Sequence, residues 1–208
     1  MSKYKTVDRK MREMIETTKK ITAPLSREAT GALKSGDRIL LSGVIYTARD
    51  AAHKRLAELM EKGEKLPFPI EGAVIYYVGP TPEKPGHIIG SAGPTTSYRM
   101  DEYAPKLIKS GMTGMIGKGA RSSEVIEAMR EHGAVYFGAI GGAGALLSRC
   151  IESSEIVAYD DLGAEAIRRL TVCDMPLTVV IDSKGNNLYE QGREGYLRSV
   201  QETKGDKL

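Results

Sequence analysis

Four side chains in this sequence could act together on a small anion: Arg49, Thr95, Arg99 and Lys118. The stretch Gly90-Ser91-Ala92-Gly93-Pro94-Thr95-Thr96-Ser97-Tyr98-Arg99-Met100-Asp101 sets two of them four residues apart. Its glycines let backbone approach a ligand, and Pro94 suits a first helical position. On a helix that spacing puts the Thr95 hydroxyl and the Arg99 guanidinium on one face, beside unpaired N–H groups that favour an anion. Arg49 follows an apolar run and Lys118 lies between Gly117 and Gly119, so both are cations presented at junctions between elements. Three cations aimed at one cleft suit a substrate bearing two carboxylates. His53, one helical turn beyond Arg49, ranks below it, because a lone histidine there is more often a structural hydrogen-bonding residue.

The elements that must position these residues follow from apolar patterning. Arg38 to Tyr46, Ala73 to Val78, Thr113 to Ile116, Ala134 to Phe137, Ile156 to Ala158 and Leu177 to Asp182 read as strands, with a short one near His87 to Gly90. Helical patterns alternate with them. One starts at Thr47, an N-cap with Asp50 three residues on, and runs to Gly63; another runs from Pro94 past Leu107 to Gly111, kinked at Pro105. Others run from the Gly117 to Ser123 junction to His132, from Gly144 to about Ile151, and from Asp160-Asp161 to Leu170. Such alternation calls for an α/β fold whose sheet is at least partly parallel, and in such sheets ligands gather at the carboxyl ends of strands. Arg49, Thr95, Arg99 and Lys118 all fall at or just after such ends. The 208 residues suit one compact domain. Before it, Tyr4, Val7, Met11, Met14 and Ile21 keep a three-four spacing that predicts an amphipathic helical extension over residues 1–24. The domain proper is expected over 25–192, followed by a polar tail, 193–208, that frays.

Composition narrows the function. Hydrophobic residues make up 41% and charged residues 27%, and the net charge is only +3 with both signs interspersed, which does not describe a nucleic-acid surface. No apolar run has signal-peptide or membrane length, so a cytoplasmic protein without membrane contact is expected. Cys150 and Cys173 match neither a C-x-x-C pair nor a disulfide framework and read as buried thiols. His53, His87 and His132 lack metal-ligand spacing, so no metal site is expected within the chain. The loop around Lys118 is not a Walker A sequence, and the run Gly138 to Gly144 fits close helix–strand packing better than a dinucleotide fingerprint.

Several separated motifs resemble a known family. Ser42-Gly43, Tyr46-Thr47-Ala48-Arg49-Asp50-Ala51-Ala52-His53-Lys54-Arg55, Tyr77-Val78-Gly79-Pro80, Gly93-Pro94-Thr95-Thr96-Ser97 with Arg99-Met100-Asp101, Gly117-Lys118-Gly119, Ala139-Ile140-Gly141-Gly142, and Asp161-Leu162-Gly163 with Glu165-Ala166 are similar, in order, to the β subunit of two-subunit class I fumarases. This is also the C-terminal domain of the single-chain enzymes, and L-tartrate dehydratase has a related β subunit. The resemblance covers roughly Leu25 to Gln191. It implies a single swivelling β/β/α domain with a mixed, partly parallel sheet and flanking helices. It implies a partner α subunit that holds a [4Fe-4S] cluster with three cysteines, and dimeric β within a heterotetramer. By the same resemblance Arg49, Arg99 and Lys118 bind the substrate, and Thr95, or a relay through Lys118, moves the proton. The reaction implied is hydration of fumarate to L-malate, with tartrate dehydration or a stand-alone dicarboxylate-binding module as alternatives.

Overall fold

The computed structural model describes residues 17–140 and 142–205, with side chains to residue 197. Seven strands make one mixed sheet: β1 Lys19–Ala23, β2 Arg38–Thr47, β3 Val74–Tyr76, β4 Gly114–Gly117, β5 Val135–Gly138, β6 Ile151–Ala158 and β7 Ile167–Ile181. The helices are α1 Arg27–Gly31, α2 Asp50–Glu61, α3 Ala104–Lys109, α4 Ser123–His132, α5 Gly144–Leu147 and α6 Leu188–Gly205. β2, β3, β4 and β5 pair in parallel, and α2, α3 and α4 lie in the crossovers between them. β7 then runs antiparallel to β5 on one edge and to β2 on the other, which closes these five strands into a ring. β1 adds to β2 in parallel, and β6 adds to β7 antiparallel.

Period-two alternation builds two cores from the same strands. Val74, Tyr76, Ile116, Val135, Phe137, Leu177 and Val179 join one cluster, into which Ile89 and Ala92 of a later loop also pack. Their sequence neighbours Ile75, Tyr77, Met115, Tyr136 and Val180 join a second, shared with Leu56 of α2, Leu107 and Ile108 of α3, and Val125 and Met129 of α4. α4 has a clear start and stop: the Ser122 hydroxyl accepts from Val125 N, and Gly133 ends it in the left-handed conformation.

Several expectations are corrected. Residues 1–16, most of the anticipated helical extension, lie outside the described residues, and Lys19–Ala23 at its end form β1 instead of helix, because their backbone pairs with Ile39 to Gly43. The expected fraying tail from 193 is helical to Gly205. The Asp160 to Leu170 helix is a 3-10 segment, Asp160–Glu165, broken at Gly163 (φ 56°, ψ −113°); Ile167–Leu170 are strand residues held between β2 and β6. Thr47 ends β2 and does not cap α2: its hydroxyl donates to Ala166 O and accepts from Arg168 N. No strand forms near His87 to Gly90. Cys150 is half-buried and Cys173 exposed, so they are not a pair of buried thiols. Among the described residues no helix is long and apolar enough to cross a membrane.

β1 approaches β2 so closely at Gly43 (φ +101°) that a Cβ there would lie 2.3 Å from Ala23 O. Gly43→Ala should therefore lower unfolding free energy by about 2–3 kcal/mol, for backbone strain plus a clash that cannot relax by side-chain movement. A urea titration with an unchanged midpoint would contradict this close approach.

Candidate active site

The four predicted residues lie in the segments that follow β2, β3 and β4, in two pairs: Arg49 and Arg99 share the Asp50 carboxylate, and Thr95 is bonded through its backbone to Lys118. Arg49 is the N-cap of α2, just past β2, and Lys118 directly follows β4. Thr95 is drawn to the same place by backbone hydrogen bonds: its N–H donates to Tyr77 O (2.8 Å), and its carbonyl accepts from Lys118 N (3.3 Å). Ser97 N then donates to Lys118 O (2.9 Å), so Thr95 to Ser97 runs as a short parallel ribbon beside Lys118. This overturns the expected helix from Pro94. Those N–H groups are already bonded to carbonyls, the chain turns 3-10 only at Ser97–Met100, and Pro105 stands in the first turn of α3 and does not kink a longer helix. Thr95 and Arg99 share a neighbourhood through this ribbon, not through a helical face.

Carboxylates order the two arginines. Asp50 Oδ2 accepts from Arg99 Nη2 at 2.7 Å, while Asp50 Oδ1 lies 3.7 Å from Arg49 Nε, so one carboxylate stands between both guanidinium groups. Glu165 Oε1 takes Arg49 Nη2 at 3.1 Å, and Glu165 Oε2 accepts from Ala51 N, supplying to the start of α2 the cap that Arg49 does not. The Arg49 side chain packs over Gly79, where a Cβ would lie 2.8 Å from Arg49 Nη1. Among the described residues Lys118 has no carboxylate within ion-pair distance, and its side chain is exposed.

The comparisons with known proteins fit this arrangement. A family model described as the C-terminus of fumarase matches residues 2–192. The chain belongs to that family. It is 44% identical over 156 residues to the aerobic class I fumarate hydratase of Escherichia coli (strain K12), covering 74% of this chain and 28% of that protein. It is 39% identical over 158 residues to fumarate hydratase 2 of Leishmania major, covering 75% of this chain and 28% of that protein. A putative L(+)-tartrate dehydratase subunit beta of Methanocaldococcus jannaschii is 38% identical over 173 residues, covering 80% of this chain and 89% of that one. The chain thus spans 28% of the length of these fumarate hydratases and nearly the whole of the tartrate dehydratase subunit.

Beneath the family's quoted motifs lies a buried scaffold that sequence reasoning missed. The Arg121 side chain has no exposed surface; its Nε donates to Asp101 Oδ1 at 2.7 Å, and its guanidinium lies 5.3 Å from the Tyr77 ring centroid and 5.2 Å from that of Tyr136. Burial works against this charge, but Tyr77, Asp101 and Tyr136 together outweigh it and leave the guanidinium pKa raised. Asp101 Oδ2 also accepts from Ser122 N. Tyr136 donates to Gly119 O at 3.0 Å, so the Ser97 hydroxyl, 2.9 Å away, is its donor. The 97–101 and 118–122 segments are thereby tied to each other and to β5. The one sequence signal for this was an arginine in the Gly117 to Ser123 junction after Lys118. At the end of the Gly138 to Gly144 run, Gly144 packs against the Ser91 to Gly93 loop, with Ala92 N donating to Gly144 O.

His53 lies beneath Arg49. It is fully buried, and burial pushes its pKa down to about 4, with the Arg49 carbonyl opposing that shift. Neutral at working pH, it donates from Nδ1 to Arg49 O at 2.9 Å, since a carbonyl can only accept, and its edge meets the Tyr77 ring. The unfolded chain binds this proton near pH 6.5, the folded chain only near pH 4, so stability falls as pH drops through that window. The loss should be on the order of 3 kcal/mol. His53→Asn keeps a donor for Arg49 O but cannot titrate; urea unfolding between pH 7 and pH 4 should show a flatter profile for the variant. Equal slopes would refute the assignment.

Proposed function

We propose that this chain supplies the dicarboxylate-binding half of a cytoplasmic hydro-lyase that interconverts fumarate and L-malate. The observation that carries the reading is the meeting of Arg49 and Arg99 around Asp50, with Thr95 hydrogen-bonded to Lys118, at the strand ends of a chain in the fumarase C-terminus family. Removing a proton beside a carboxylate builds a second negative charge on that group. Fixed cations then stabilise the transition state more than the ground state. Arg49 and Arg99 bind and orient the carboxylates, and Lys118, not neutralised by a described carboxylate, supplies the uncompensated charge. A threonine hydroxyl is a weak base, and a dense positive setting is what lowers its pKa toward use. Thr95 is the proton-transfer group in this reading, and a relay through Lys118 is the competing assignment.

The [4Fe-4S] cluster of the proposed enzyme does not fit the residues here. Among the described residues no three His, Cys, Asp or Glu side chains converge to hold a metal, and Cys173 is exposed on the sheet. A partner α subunit is the proposed holder, in a heterotetramer with two copies of this chain. One observation favours a second substrate: the tartrate dehydratase subunit beta is a chain of matching size, 89% covered.

Purified anaerobically with its α subunit, the chain should give iron, sulfide and fumarate hydratase activity; activity of the lone chain would contradict the shared site. Arg99→Ala in that complex should lower kcat/KM by roughly 10²–10³-fold with unchanged thermal unfolding. Near-normal kinetics would remove Arg99 from the site. Turnover of L-tartrate in preference to fumarate would move the assignment to tartrate dehydration.

A further inference from the structure

We infer that Cys150 and Cys173 are a site of covalent modification, the two ends of a cross-strand disulfide that closes when the protein meets a disulfide oxidant. They are the chain's two cysteines, 23 positions apart in sequence but brought together by the sheet. β6 and β7 pair antiparallel with Ile151 facing Val172 at the end of the ladder, and Cys150 and Cys173 are each the next residue beyond that pair, on the same side. Directly opposed residues in an antiparallel pair lie about 4.5–5.5 Å apart at Cα, and the two cysteines adjoin such a pair. A disulfide spans about 4.4–6.8 Å.

Two further observations support the pairing. The Cys150 Sγ lies 4.0 Å from the carbonyl oxygen of Asp174, the residue after Cys173. On its other edge β7 steps from Met175 opposite Leu41 to Val172 opposite Gly43, leaving Cys173 and Asp174 together against Ser42. That is a β-bulge, with Asp174 at φ 47° and its N–H donating to Ser42 Oγ at 3.0 Å. Bulges re-aim side chains, and here Cys173 is exposed while Cys150 is half-covered. The two thiols therefore differ in access: Cys173 can be reached from solvent, and Cys150 waits behind it.

With a small disulfide such as oxidised glutathione, the Cys173 thiolate attacks one sulfur, forming a mixed disulfide and releasing one glutathione thiolate, which takes up a proton. The Cys150 thiolate then attacks the Cys173 sulfur and releases the second. The protein loses two electrons and two protons, and both glutathiones are reduced. Burial, and then the nearby Cys173 and Asp174, push the Cys150 thiol pKa up, so the second step should quicken with rising pH. The bond would brace the 3-10 turn Ser148–Cys150, and through α5 the Gly144 carbonyl that holds Ala92 N, behind the loop leading to Thr95.

The test is to incubate the full chain with oxidised glutathione, then count free thiols and measure intact mass without reductant. The expected product is a monomer with no free thiols and a mass lower by two hydrogens. Cys150→Ser should instead stop at one glutathione adduct on Cys173. Cys173→Ser, altered only at an exposed position, should react at Cys150 at least about tenfold more slowly than wild type loses its first thiol. A stable glutathione adduct on the wild-type chain, two thiols that persist, or a dimer linked through Cys173 would each overturn the inference.

Discussion

A buried positive charge has to be paired where it lies, and Arg121 is the charge on which the candidate site depends. Set against the Tyr77 and Tyr136 rings and bonded to Asp101, it meets these partners only when three separate segments are in place. Tyr77 leaves β3, Asp101 ends the 3-10 turn that carries Arg99, and Tyr136 lies within β5. Leaving such a guanidinium unpaired costs several kcal/mol, so the arrangement tends to form as a whole. The Thr95 to Ser97 ribbon and Lys118 rest directly on it.

The ring of five strands supplies the other constraint. Because β7 pairs with both β5 and β2, the carboxyl ends of β2, β3 and β4 cannot splay apart, and the loops that leave them face one region. The arginines there come already ordered: Asp50 and Glu165 take up part of their hydrogen-bonding capacity and fix their planes. In the proposed function, a dianion would meet oriented donors, with the exposed Lys118 beside them. Orientation in advance is what makes such donors effective as charge develops.

Much of this was legible in the residues. The strand runs at Arg38, Ala73, Thr113 and Ala134, and the helix from the Gly117 to Ser123 junction to His132, appeared where patterning put them, because local alternation decides those elements. Arg49 and Arg99 do meet, at Asp50, and Thr95 does lie beside Lys118. The misses were positions where distant pairing overrode local preference. Lys19–Ala23 became an edge strand because β2 offered a free ladder; Ile167–Leu170 looked helical but lay between two strands. Pro94 suggested a helix start, yet the amides after it found the carbonyls of Tyr77 and Lys118 first. The Arg121 scaffold had no periodic signature, since its partners come from positions 77, 101 and 136.

Hydrogen exchange on Arg121→Met tests the central claim most directly, using this chain alone. If the buried guanidinium holds the ribbon to the Lys118 loop, the amides of Ser97 and Lys118 should exchange at least about tenfold faster, while those of Tyr136 and Phe137 in β5 keep their protection. Unchanged exchange at Ser97 and Lys118, or an equal rise in every strand, would contradict it.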